Sequence, residues 1–106
     1  MKSTQIKEII KTIGNYEMNQ IIPLTEVQSI VLASDENIYP SDTTRVKFVD
    51  EGGKNLMEVY EGVTKQDGTF VSKPNPILVM SFSNINGFVL ASPKRRKAPY
   101  NYGGVL

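Results

Sequence analysis

The sequence predicts an α+β domain: one N-terminal amphipathic helix packed on an antiparallel sheet, or on a small partly open barrel, of six to seven strands, with a basic C-terminal tail. Three observations favour this class. Isoleucines recur at helical spacing near the start, short β-branched runs separated by turns follow Asn15, and Asp67-Gly68 is a strong tight-hairpin signal. With 106 residues, 40% of them hydrophobic, the chain suits one globular domain. We expect that domain at 1–92 and the tail at 93–106.

The helix is the clearest element, because four isoleucines fall at i, i+3, i+4 and i+7: Ile6, Ile9, Ile10 and Ile13. Ser3 or Thr4 is the expected N-cap, and Gly14 with Asn15 is the expected end, since both tolerate the left-handed conformation. So short a helix is marginal alone. Its apolar stripe is therefore expected to pack on the sheet or, alternatively, on a second copy or another partner.

Strands are predicted at 21–24, 27–33, 45–49, 56–63, 69–71, 77–82 and 87–91. In the third of these, Val46 and Phe48 share one face, whereas Val49 breaks the alternation with the charged residues. The segment 34–44, with Pro40 and many small polar residues, is the longest expected loop inside the fold.

Two segments of the chain resemble each other at a separation of 58 residues. Residues 24–34 and 82–92 share the tetrapeptide Val-Leu-Ala-Ser, and Leu/Phe, Thr/Ser and Val/Ile pairs precede it. One interpretation is that two half-buried strands with hydroxyl-led turns converge on similar residues. The other is a duplicated unit related by a pseudo-two-fold axis.

The sequence offers little for catalysis. It has no His, Cys or Trp, which excludes the usual base, thiol nucleophile and soft-metal ligands. Ser-x-x-Lys, Gly-x-Ser-x-Gly and phosphate-loop motifs are also missing. Two adjacent carboxylate pairs, Asp35-Glu36 and Asp50-Glu51, fall in expected loops, so a hydrolase that uses them is the least favoured hypothesis. We expect no enzyme activity, no metal and no cofactor.

Charge is distributed unevenly along the chain. Residues 1–92 carry eight basic and eleven acidic side chains, a net charge of −3, whereas 93–106 carry four basic and no acidic ones, a net charge of +4. The candidate ligand-binding residues lie in this tail: Lys94, Arg95, Arg96 and Lys97 would contact phosphates, and Tyr100 or Tyr102 would stack on bases. Two other interpretations of the basic run are a solubilising or disordered end of the chain and a contact with an acidic protein surface.

The sequence therefore favours a non-catalytic binding protein that engages a polyanion, nucleic acid first, through its basic tail. The alternative is a small protein-binding adaptor or inhibitor, of the kind that accompanies phages or mobile elements. A homo-oligomer through the isoleucine stripe or a sheet edge is a further possibility. The longest apolar runs have four residues, far below the roughly 20 that span a membrane. With no cysteine and no apolar leader, the expected location is the cytoplasm.

Overall fold

A computed structural model describes residues 1–91, which form one helix and two antiparallel sheets in a partly curled half-barrel. The elements in chain order are α1 (Ser3–Gly14), β1 (Ile21–Pro23), β2 (Val27–Leu32), β3 (Asn37–Ile38), β4 (Thr44–Glu51), β5 (Lys54–Thr64), β6 (Phe70–Ser72), β7 (Leu78–Ser81), a 3₁₀ turn at Phe82–Asn84 and β8 (Ile85–Leu90). This is the predicted α+β architecture with its N-terminal helix. The predicted tail at 93–106 lies outside the described residues.

The five-stranded sheet is built around the long hairpin of β4 and β5. Strand β1 pairs with the far side of β4, while β7 and β6 follow one another along the far side of β5. Val46 and Phe48 on β4 face Met57 and Val59 on β5 across this hairpin, and all four are buried. Because side chains alternate between faces along a strand, these four residues define the core side of the sheet.

The three-stranded sheet has the order β3-β2-β8 and closes the core from the other side. Phe48 links the two sheets, since its ring centroid lies 6.1 Å from that of Phe82 and 6.0 Å from that of Phe88 on β8. Helix α1 adds three buried isoleucines to the same cluster, Ile6, Ile10 and Ile13, and Ile9 packs against its border. The isoleucine stripe therefore faces the sheets, as the first interpretation expected.

The helix ends where the sequence indicated, but its N-cap lies before both of the expected positions. Asn15 takes the left-handed conformation, with φ of 57°, and its N–H donates to the Lys11 carbonyl at 2.9 Å. Lys2, rather than Ser3 or Thr4, occupies the N-cap, and its own N–H donates to the Gln5 side chain at 2.8 Å. The predicted caps were therefore wrong. The Ser3 hydroxyl instead donates to Asp50 Oδ2 at 2.8 Å, which ties the helix to the end of β4.

Eight strands are described, against the six or seven predicted. The additional strand is β3, which lies inside the segment predicted to be a loop at 34–44 and pairs through Ile38 with Ile30. The predicted hairpin between β5 and β6 is confirmed: Gly68 has a φ of 88°, and the Thr69 N–H donates to Asp67 Oδ1 at 2.9 Å. This hydrogen bond lowers the pKa of the Asp67 carboxyl group.

The two similar segments meet as neighbouring strands, because β2 lies in the first and β8 in the second. Ile30 pairs with Phe88, its own equivalent 58 residues later, and the register irregularities fall symmetrically on either side. The hydrogen bonds at the two ends are equivalents as well: Ala33 N–H donates to Asn84 O at 2.8 Å, and Ala91 N–H to Glu26 O at 2.9 Å. The segments are therefore related by a local two-fold axis that passes between Ile30 and Phe88.

Candidate binding surface

The six candidate residues that the sequence indicated, Lys94, Arg95, Arg96, Lys97, Tyr100 and Tyr102, lie outside the described residues. A candidate surface is therefore built from residues 1–91. Two features of the five-stranded sheet qualify: the face turned away from the core, called the outer face below, and the unpaired side of β7, called the free edge.

One row of side chains crosses the outer face from edge to edge. Ile21 on β1 lies beside Lys47, Lys47 beside Glu58, and Glu58 beside Val79 on β7. The neighbours of these residues in each strand point into the core, so the row itself faces away from it. Ile21 and Val79 are 46% and 47% exposed, whereas Lys47 and Glu58 between them are half-buried. An aliphatic side chain thus flanks a central pair of opposite charges on each side.

The row has its own approximate two-fold symmetry. Ile21 and Val79 are 58 residues apart, and they precede β2 and β8 at equivalent positions. Their pairings are equivalent as well, because Ile21 pairs with Lys47 as Val79 pairs with Glu58.

Two further cross-strand pairs extend the outer face along the hairpin. Val49 pairs with Leu56, which makes an apolar patch and explains why Val49 broke the alternation in the sequence. Arg45 pairs with Tyr60, and the Arg45 guanidinium lies 3.8 Å from the Phe70 ring centroid, within the range of a cation–π interaction.

A hydrogen bond fixes the acidic end of the central pair. The Tyr60 hydroxyl donates to Glu58 Oε1 at 2.7 Å. This bond is the main reason that the pKa of Tyr60 is raised, with burial and the negative charge of Glu58 adding to it. The Tyr60 hydroxyl therefore restrains the carboxylate of Glu58, the residue that pairs with Lys47 across the hairpin.

The free edge belongs to β7, which pairs only with β5 among the strands of residues 1–91. An edge strand turns unpaired N–H and C=O groups outward, and proteins usually protect such edges with charged residues. Here Leu78 and Val79 are 39% and 47% exposed, and the sequence has no charged residue between Lys73 and Lys94. Pro76, two residues before β7, is the nearest residue of the kind that blocks strand pairing. The sequence analysis missed this surface, although the long uncharged run was a signal for it.

The two carboxylate pairs lie apart rather than across one cleft. Asp35 sits in a left-handed turn after β2, with φ of 69°. The loop predicted at Asp50-Glu51 was wrong, because both residues lie at the end of β4, where Asp50 pairs with Asn55 and accepts a hydrogen bond from the Ser3 hydroxyl. Within the part of the chain that is described, no group of three or more His, Cys, Asp or Glu residues could hold a metal ion.

Comparisons with protein families, with curated proteins and with solved structures find no match to this chain. Among residues 1–91, no helix has the length and apolar character needed to cross a membrane.

Proposed function

We propose that this chain is a non-catalytic binding protein that takes an extended segment of a partner protein at the free edge of β7. The observation that carries the proposal is an edge strand whose aliphatic side chains are exposed and whose sequence surroundings hold no charge. Addition of a strand to such an edge satisfies its backbone groups, while the flanking side chains select the incoming residues.

The chemistry of the edge indicates the kind of segment that fits. Leu78 lies on the core side of the sheet and Val79 on the outer face, so an added strand meets an aliphatic side chain on each side. No charged residue of the edge can pair with a charge on the partner. The preferred segment is therefore extended, aliphatic and uncharged, and about as long as β7, which has four residues.

Leu78→Lys tests the proposal, because a charge at this position blocks strand addition while leaving the outer face intact. The matched control is Val89→Lys, since Val89 is 43% exposed and lies on β8 of the other sheet. The full chain carries a photo-cross-linking residue at position 77, and the proteins captured from a host extract are compared among the variants. A partner that cross-links to wild type and to Val89→Lys but not to Leu78→Lys supports the proposal. A partner that cross-links equally to all three contradicts it, provided that melting curves show all three folded.

A polyanion, nucleic acid first, is the second candidate ligand, and it would bind through the tail. Its support is the sequence: four consecutive basic residues, Lys94, Arg95, Arg96 and Lys97, follow a body of net charge −3. Four phosphate contacts predict that log affinity for duplex DNA falls against log salt with a slope of about −3.6. Replacing all four residues with Ala should abolish this slope and leave the edge cross-link unchanged. A salt slope that survives the replacement would refute the tail as the binding element.

A cytoplasmic setting is part of this proposal. Its support is the cysteine-free composition, which suits a reducing compartment.

A further inference from the structure

We propose that the outer face of the five-stranded sheet is a self-complementary interface on which a second copy of this chain docks face to face. This inference shares Val79 with the free edge, but it concerns the broad surface of the sheet rather than the unpaired backbone groups of β7. The observation that carries it is the row of Ile21, Lys47, Glu58 and Val79.

The row is complementary to a second copy of itself that runs in the opposite direction, because it has an aliphatic residue at each end and two opposite charges in the centre. When a second copy is turned about an axis parallel to the strands, midway between β4 and β5, its row runs in the opposite direction over the first. Lys47 then faces Glu58 of the second copy, and Ile21 faces Val79. The same rotation places Val49 over Leu56 and Arg45 over Tyr60. The contacts made by the row itself join aliphatic groups or opposite charges, whereas Val49 and Tyr60 are largely buried within each copy, at 9% and 8% exposed, and add little area.

Charge also excludes the other way of stacking the two faces. An axis perpendicular to the strands would place Lys47 on Lys47 and Glu58 on Glu58 of the second copy. Like charges in direct opposition are strongly unfavourable at an interface. The central pair therefore selects the parallel axis, and the hydrogen bond from Tyr60 to Glu58 holds the acidic partner in place for it. Sheets packed in this way lie about 10 Å apart.

The test uses two single charge reversals and their mixture. In Lys47→Glu, residue 47 and Glu58 are both negative, and in Glu58→Lys both are positive, so each variant opposes like charges in its own dimer. When the two variants are mixed, each negative face meets a positive one and the dimer is restored. The like charges within each chain remain in the mixture, so a change in the fold of either variant cannot explain the recovery.

Sedimentation equilibrium of the full chain, over about three decades of concentration, measures the effect. Wild type is expected to show a monomer–dimer equilibrium, each single variant a dimer weakened at least about tenfold, and the mixture a dimer close to wild type in strength. Ile21→Lys tests the apolar end of the row and should also weaken the dimer, whereas Val89→Lys, of similar exposure on the other sheet, should not.

Three results would overturn the interface. They are a wild-type chain that stays monomeric throughout, a mixture no stronger than the single variants, and an Ile21→Lys variant that dimerises like wild type. A dimer that Leu78→Lys abolishes and the charge reversals leave intact would place self-association at the free edge instead. In that case a second copy would be the species that cross-links at β7, whereas the other three results leave the cross-linking there unaffected.

Discussion

Gly62→Ala should destabilise the domain, because β5 and β6 approach each other too closely at this position for any side chain. A Cβ atom at Gly62 would overlap the Phe70 ring and the carbonyl oxygen of Val71, both on the paired strand β6. The φ of Gly62 lies outside the left-handed region, so the conflict is one of space rather than of backbone conformation. The carbonyl is held in the ladder, and the ring is held beneath Arg45, so neither can move freely.

The expected loss of stability in Gly62→Ala is best measured against an alanine substitution at a second strand glycine. Overpacking of this kind costs about 1–3 kcal/mol. A Cβ atom added at Gly87 on β8 would meet nothing within 4 Å, so Gly87→Ala should stabilise by about 0.4–1 kcal/mol through the unfolded chain. The two variants should then differ in melting temperature by at least about 6 °C.

Thermal unfolding followed by far-ultraviolet circular dichroism measures this difference, with both variants in one buffer. Near-ultraviolet dichroism adds a local readout, because displacement of Phe70 changes its stacking with Arg45. If the two alanine variants melt within about 1 °C of each other, then β6 does not pack on β5 as described.

Two further predictions concern the core and the outer face. Phe48→Leu removes two aromatic contacts worth about 0.5–1.5 kcal/mol each. Urea unfolding should therefore show that the free energy of unfolding falls by about 1–3 kcal/mol. An unchanged free energy of unfolding would contradict the packing of Phe48 between the two sheets. Tyr60→Phe should cost about 1 kcal/mol near neutral pH through the lost bond to Glu58. Because the pKa of Tyr60 is raised, the stability that its hydroxyl contributes is present below about pH 10 and is lost as the pH rises through the raised pKa. In urea titrations at alkaline pH, wild type should therefore lose its stability advantage over Tyr60→Phe. A stability difference that stays constant with pH would refute the hydrogen bond from Tyr60 to Glu58.

The local elements of this fold were readable from the sequence because each has a local cause. The isoleucine spacing gave the helix, the left-handed tolerance of Asn15 gave its end, and Asp67-Gly68 gave the hairpin. What the sequence did not predict is non-local. Leu24, Thr25 and Glu26 join β1 to β2, yet the two strands enter different sheets, and only their distant partners decide this. Strand β3 was missed for the same reason, since two residues become a strand only by pairing with β2.

The candidate surface was predictable only in fragments. Val49 was noticed as an exception to alternation, but its role on the outer face required knowledge of Leu56 opposite it. Likewise, Lys47 and Glu58 are ordinary surface residues in the sequence, and they become a central charge pair through the register of β4 and β5. The resemblance between 24–34 and 82–92 was visible, whereas the symmetric pairing of Ile30 with Phe88 was not.

The outer face and the free edge of the five-stranded sheet differ from its core side in how far their aliphatic side chains are covered. On the core side, Val46, Phe48, Met57 and Val59 are covered by the helix and the second sheet. On the outer face Val49 and Tyr60 are buried, but Ile21 and Val79 at its two ends are 46% and 47% exposed, and Leu78 on the free edge is 39% exposed. Exposed aliphatic groups grouped on one sheet favour association, and selection normally places charge among them to prevent it. In the dimer proposed above, the central charges Lys47 and Glu58 of the outer face each meet an opposite charge of the second copy. That arrangement restricts association to one orientation, which is what a specific interface requires and what nonspecific aggregation lacks.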